Sequence, residues 1–107
     1  MLPDNMKTCI LVLERGYIKV CHCPDPTGIA FWLPWFNGRT IRVWGTTKGL
    51  AELVDGPTAN TVLDEIAPSG TVPVRSIVDV IFVKDEAWLT YLTGSTPPSS
   101  KARTRKN

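Results

Sequence analysis

Two short runs rich in apolar residues, 6–13 and 17–23, flank the polar triplet Glu14-Arg15-Gly16. Period-two patterning of this kind marks strands, and a three-residue connection ending on glycine suits a hairpin that needs one left-handed residue. With Leu13 facing Tyr17, Ile10 falls opposite Val20 and Val12 opposite Ile18, which makes one continuous apolar face. The reverse face sets Leu11 beside Lys19 and Cys9 beside Cys21, a mixed surface suited to partial cover.

After the turn cluster Pro24-Asp25-Pro26-Thr27-Gly28, residues 29–36 and 39–44 predict a second hairpin around Asn37-Gly38, the strongest short hairpin signal in the chain. That pairing puts Trp32, Pro34, Ile41 and Val43 on one side, and Phe31, Leu33, Trp35, Arg42 and Trp44 on the other. Pro34 cannot donate a ladder hydrogen bond, so its strand belongs at an edge or at a bulge. Residues 47–54 predict a short helix capped by Thr46 or Thr47 and ended by Asp55-Gly56-Pro57. Residues 61–66 fit either a short strand or a helical turn, and Pro68-Ser69-Gly70 reads as a break. The β-rich stretch 71–83 changes phase near Ser76 and Ile77, which suggests two strands or one bulged strand. Asp85 then opens a helical turn through Leu92, with Trp88, Leu89 and Leu92 on its apolar face. The expected fold is mainly β in the α+β sense. It is a small curved antiparallel sheet or partly open barrel of five to seven strands, with one short inserted helix and one C-terminal helix.

Length adds that 107 residues, 43% apolar, make one domain (residues 1–94), near the size where self-association helps stability. The net charge of +2 hides an asymmetry, because Lys101, Arg103, Arg105 and Lys106 crowd into a basic tail over residues 95–107. The remaining eight basic residues face ten acidic ones, so the body carries net −2 and is not a basic nucleic-acid binder; nucleic acid is expected, if anywhere, only at the tail. No signal-like or membrane-length apolar run occurs, and three cysteines, an odd number, argue for reduced thiols, so a cytoplasmic location is expected.

Candidate chemistry gathers in RVWGTTKGLAELVDGPTANTVLD, residues 42–64. Trp44, Gly45, Thr46, Thr47, Lys48 and Gly49 form a strand-to-helix connection whose backbone N–H groups and lysine would suit an anion, although it lacks the Walker spacing. Thr58, Asn60 and Thr61 of the following Gly-Pro-Thr loop could close over the same site with neutral donors, and Asp64 either serves a ribose hydroxyl or pairs with a nearby base. The alternative is a strand-to-helix link whose threonines merely cap. Phe31, Trp35 and Arg42 offer a second surface, suited to stacking or to anchoring a protein partner, unless the aromatics serve the core.

No catalytic set accompanies these residues. His22 is the sole histidine, and the acidic pairs Asp64-Glu65 and Asp85-Glu86 are adjacent, so their side chains diverge. Cys21 and Cys23 share a strand face while His22 points the other way, which opposes one zinc ion taking all three; neither a metal nor a cofactor is expected.

The 42–64 segment, with the opening ILVLERGYIKV, resembles a group of small bacterial and phage-encoded proteins that carry a similar hairpin, a Trp-Gly-Thr-Thr loop, a Gly-Pro-Thr loop and a late tryptophan, here Trp88. The resemblance implies a compact phage-type accessory domain without catalysis. The expected function is therefore non-enzymatic binding, either of a small anionic, nucleotide-like ligand or, through the aromatic surface, of a host protein. A second copy of the chain is a further candidate partner.

Overall fold

The computed structural model describes residues 5–93, so the basic tail lies outside the described residues. The chain forms a six-stranded antiparallel curved open sheet of β1 (Lys7–Leu13), β2 (Ile18–Cys23), β3 (Trp32–Val43), β4 (Val62–Leu63), β5 (Ala67–Pro73) and β6 (Ile77–Phe82). A helix, α1 (Asp85–Thr93), follows the last strand. The strands run in the order β4-β3-β2-β1-β6, and β5 pairs with β3 off this path. No helix among the described residues is long and apolar enough to cross a membrane.

The first hairpin has the expected register, with Ile10 opposite Val20 and Val12 opposite Ile18. Arg15 and Gly16 take positive φ in the connection, and the Leu13 N–H donates to the Tyr17 carbonyl at 2.7 Å. Both faces of this hairpin are buried. On one, Ile10, Ile18 and Val20 pack with Ile41, Leu53, Leu63, Trp88 and Leu92. On the other, Cys9, Leu11, Cys21 and Cys23 pack with Leu33, Trp35 and Val72, so the mixed reverse face is a second core.

The second hairpin does not form. Residues 32–43 are one continuous strand, β3, whose first half pairs with β5 and whose later residues pair with β2 and β4. Asn37 takes φ +53, and the β2–β3 register shifts at this point, so Asn37-Gly38 makes a bulge rather than a turn. The reason lies across the sheet, where the Trp35 ring lies against Gly38 and Gly70. A Cβ on Gly38 would come within 2.7 Å of that ring, and one on Gly70 would overlap it. Lys19 closes the stack, its ammonium 4.4 Å from the ring centroid. The same contact explains why Pro68-Ser69-Gly70, expected to break the chain, lies inside β5, with Gly70 opposite Trp35.

The expected inserted helix is a 3-10 segment, Leu50–Asp55, with Gly49 and not a threonine at its N-cap. Gly56 ends it at φ +110. Its buried Leu53 is pinned by the Trp88 indole, whose Nε1–H donates to the Leu53 carbonyl at 2.7 Å. The phase change near Ser76 is a 3-10 turn, Val74–Ser76, between β5 and β6. In α1, Trp88 and Leu92 are buried as the sequence pattern requires.

Candidate functional site

Two loops meet at the end of β3. The Thr58 hydroxyl donates to the Gly45 carbonyl and the Thr61 hydroxyl to the Trp44 carbonyl, each at 2.7 Å. The Thr58 N–H donates back to the Thr61 hydroxyl at 2.9 Å. Gly45 has φ +70, and a Cβ there would overlap the Asn60–Thr61 peptide. The two loops that the sequence set side by side are thus in contact.

The polar groups expected to hold a ligand are largely committed to one another. Glu52 on the 3-10 segment reaches back so that its carboxylate accepts from the Lys48 N–H at 3.0 Å, the Thr47 hydroxyl at 3.1 Å and the Thr47 N–H at 3.4 Å. An internal carboxylate therefore occupies the backbone donors that a phosphate would use. Trp44 remains two-fifths exposed, and the Lys48 ammonium makes no ion pair among the described residues. Asp64 pairs with Arg42, whose Nε lies 2.9 and 3.0 Å from the two carboxylate oxygens.

Phe31, Trp35 and Arg42 do not form one surface. Trp35 belongs to the second core at 8% exposure, whereas Phe31, just before β3, is 80% exposed. Arg42 is exposed near the other end of β3, held by Asp64. Because β3 is a single strand, its outward side carries Trp32, Pro34 and Phe36, of which Trp32 is 61% and Phe36 42% exposed. These three sit opposite Pro73, Thr71 and Ser69 of β5. Trp32, Pro34 and Phe36 thus share one side of β3 and face small residues across it, and Phe31 is exposed at the start of the strand. Sequence reasoning missed Trp32 and Phe36, although their alternation with Leu33 and Trp35 was readable once the turn at Asn37 is set aside.

Cys9, Cys21 and Cys23 lie fully buried on one face, all free thiols. The thiols of Cys21 and Cys9 hydrogen-bond to the Cys23 sulfur, which makes Cys23 the most acidic of the three and, with burial, pushes the other two up. On the opposite face His22 is buried, and desolvation lowers its pKa. No group of three His, Cys, Asp or Glu residues able to hold a metal ion occurs among the described residues.

Comparison with protein-family models, with curated proteins and with solved structures finds no match for the chain, so the functional reading rests on its geometry.

Proposed function

We propose that the protein is a non-catalytic interaction module that docks a protein partner through the Trp32–Pro34–Phe36 strip. The supporting observation is the exposure of Trp32 and Phe36 on one side of β3 in a fold whose two cores are already filled by other side chains. Large aromatics at the centre of an apolar patch are the side chains that carry most binding free energy at protein interfaces. The resemblance to phage-encoded accessory domains favours a protein of a bacterial host as the partner. Affinity capture from that host with the wild-type chain and with Trp32→Ser tests this. A defined partner retained by wild type and by Lys48→Ala but lost from Trp32→Ser is the expected outcome. Identical captured proteins with wild type and Trp32→Ser would remove the strip from consideration.

A second reading, a nucleotide-like anion held by Trp44, Thr46, Lys48 and Asn60, draws support from the convergence of the two loops and the unpaired Lys48 ammonium. Such an anion has to displace the Glu52 carboxylate. Thermal stabilisation by nucleotides that disappears in Lys48→Ala and grows in Glu52→Gln would support it; a flat response in all three proteins would dismiss it.

A further inference from the structure

Strand β5 lies at a rim of the sheet, where β3 is its sole sheet partner among the described residues. One bond beyond its end fixes the phase of its backbone: the Val74 N–H donates to the Phe31 carbonyl at 2.9 Å. Backbone groups point alternately to the two sides of a strand, so Val72 and Gly70, like Val74, turn their N–H and C=O groups to β3, against Leu33 and Trp35. Ser69 and Thr71 therefore turn theirs outward, to a side where no strand lies among the described residues. Pro73 is the next outward position and carries no N–H, so the row of open donors ends there.

Sheet edges are commonly defended by charge, shortness or proline, and β5 is short and bracketed by Pro68 and Pro73 but holds no charged residue. What sets this edge apart is the row beside it. Ser69 and Thr71 are exposed and stand directly opposite Phe36 and Pro34, with which they share the outer face. Both side chains are small, so no large group separates the open edge from the exposed Trp32 and Phe36 rings. Neighbouring strands lie about 4.8 Å apart, which puts a strand added beyond β5 roughly 10 Å from β3. An aromatic ring on β3 and an aliphatic side chain on the added strand span that gap over a serine or a threonine. The edge thus offers backbone bonds and the strip offers apolar contact, and both face the same incoming chain.

Resting on the reading of Trp32, Pro34 and Phe36 as a docking surface, we propose that the partner presents an extended segment that adds to β5 as a further antiparallel strand. Its backbone pairs with Ser69 and Thr71, and its apolar residues, at every second position, lie against Trp32 and Phe36. In an antiparallel pair the residues opposite Ser69 and Thr71 point their N–H groups at β5 and their side chains to the same outer face, so the apolar residues are also the bonding ones. The full chain is titrated with a blocked peptide, Lys-Val-Thr-Val-Thr-Val-Lys, either unmodified, N-methylated at its valines or N-methylated at its threonines. The unmodified peptide is expected to give saturable amide shifts and slowed hydrogen exchange at Ser69 and Thr71. Methylated valines are expected to weaken binding by about tenfold or more, the loss of two or more backbone bonds, and methylated threonines to leave it within about twofold. Thr71→Pro removes an outward donor and no ladder bond; it is expected to weaken the unmodified peptide by a similar factor, while the amides of β1 and β2 keep their shifts as a check on the fold. Absence of saturable shifts, or equal binding of all the peptides, overturns the added strand. Binding that is lost in Trp32→Ser but indifferent to methylation also overturns it, while leaving the docking surface in place. Binding that is sensitive to methylation yet unchanged in Trp32→Ser removes the strip instead, and with it the apolar half of the proposal.

Discussion

Two pairs of polar side chains, one part-buried and one fully buried, are treated in opposite ways. Thr58 and Thr61 spend their hydroxyls on the Gly45 and Trp44 carbonyls, and Thr61 also takes the Thr58 N–H. Thr8 and His22, paired across β1 and β2, have side chains with no hydrogen-bond partner among the described residues. A satisfied buried hydroxyl is a fastening, because it replaces the water that a loop backbone would otherwise keep. An unsatisfied one weakens the fold, and its presence points to something other than the fold. The lesson is that the threonines conspicuous in sequence fasten two loops to each other, whereas the inconspicuous Thr8 is buried without such a bond among the described residues.

Disrupting the satisfied pair should have the largest effect. Gly45→Ala forces a Cβ into the Asn60–Thr61 peptide at φ +70, and the loss of stability is expected to reach about 3 kcal/mol or more, read from the urea midpoint. An unchanged midpoint would mean that the two loops separate without cost. Thr61→Val keeps the shape but strands the Trp44 carbonyl and the Thr58 N–H, for a loss of about 2–3 kcal/mol. The same substitution at the other pair is expected to act with the opposite sign: Thr8→Val removes a hydroxyl that has no partner among the described residues, and the protein should gain about 1 kcal/mol. Destabilisation by Thr8→Val would show that its hydroxyl is bonded after all, and the contrast between the pairs would collapse.

What could be read in the sequence was whatever local pattern decides. The β1–β2 register followed from period-two patterning plus a loop with glycine at a positive-φ position, and the break at Ser76 followed from a phase change that no single strand can absorb. The burial of Trp88 and Leu92 followed from their helical spacing. The reading failed where distant residues overrule local chemistry. Asn37-Gly38 and Pro68-Ser69-Gly70 are turn signals by composition, yet both segments stay in strands because the Trp35 ring needs the space that Gly38 and Gly70 leave open. Assuming a hairpin at Asn37 also grouped Trp35 with Arg42 and Trp44, whereas Trp35 packs in the second core and Arg42 lies beyond the bulge. The convergence of the 44–49 and 58–61 loops was anticipated, but the capture of Thr47 and Lys48 by Glu52 was not, since that carboxylate reaches backward across a 3-10 segment expected to be an ordinary helix. The meeting of Thr8 with Asp85 was beyond reach in any local window, because the two are 77 residues apart in the chain.

The smallest expected effect concerns His22, and it sharpens the contrast by giving it a pH dependence. Burial favours the neutral imidazole, so the folded-state pKa lies below the usual value of 6.5, with Asp85 opposing the shift only in part. The unfolded chain therefore binds the proton more readily than the folded one. Above pH 6.5 the two states are both neutral at this residue and its contribution to stability is complete; as pH falls from 6.5 through the folded-state value, that contribution is progressively lost. Urea midpoints measured between pH 7.5 and pH 5, an interval of about 2.5 units placed around the histidine reference value, should fall on acidification for the wild-type chain and flatten in His22→Gln. Thr61→Val, on the satisfied side, should leave the slope untouched while lowering every midpoint. A wild-type slope that survives in His22→Gln would assign the acid sensitivity to the carboxylates, and His22 would lose its place beside Thr8 as an unpaired group.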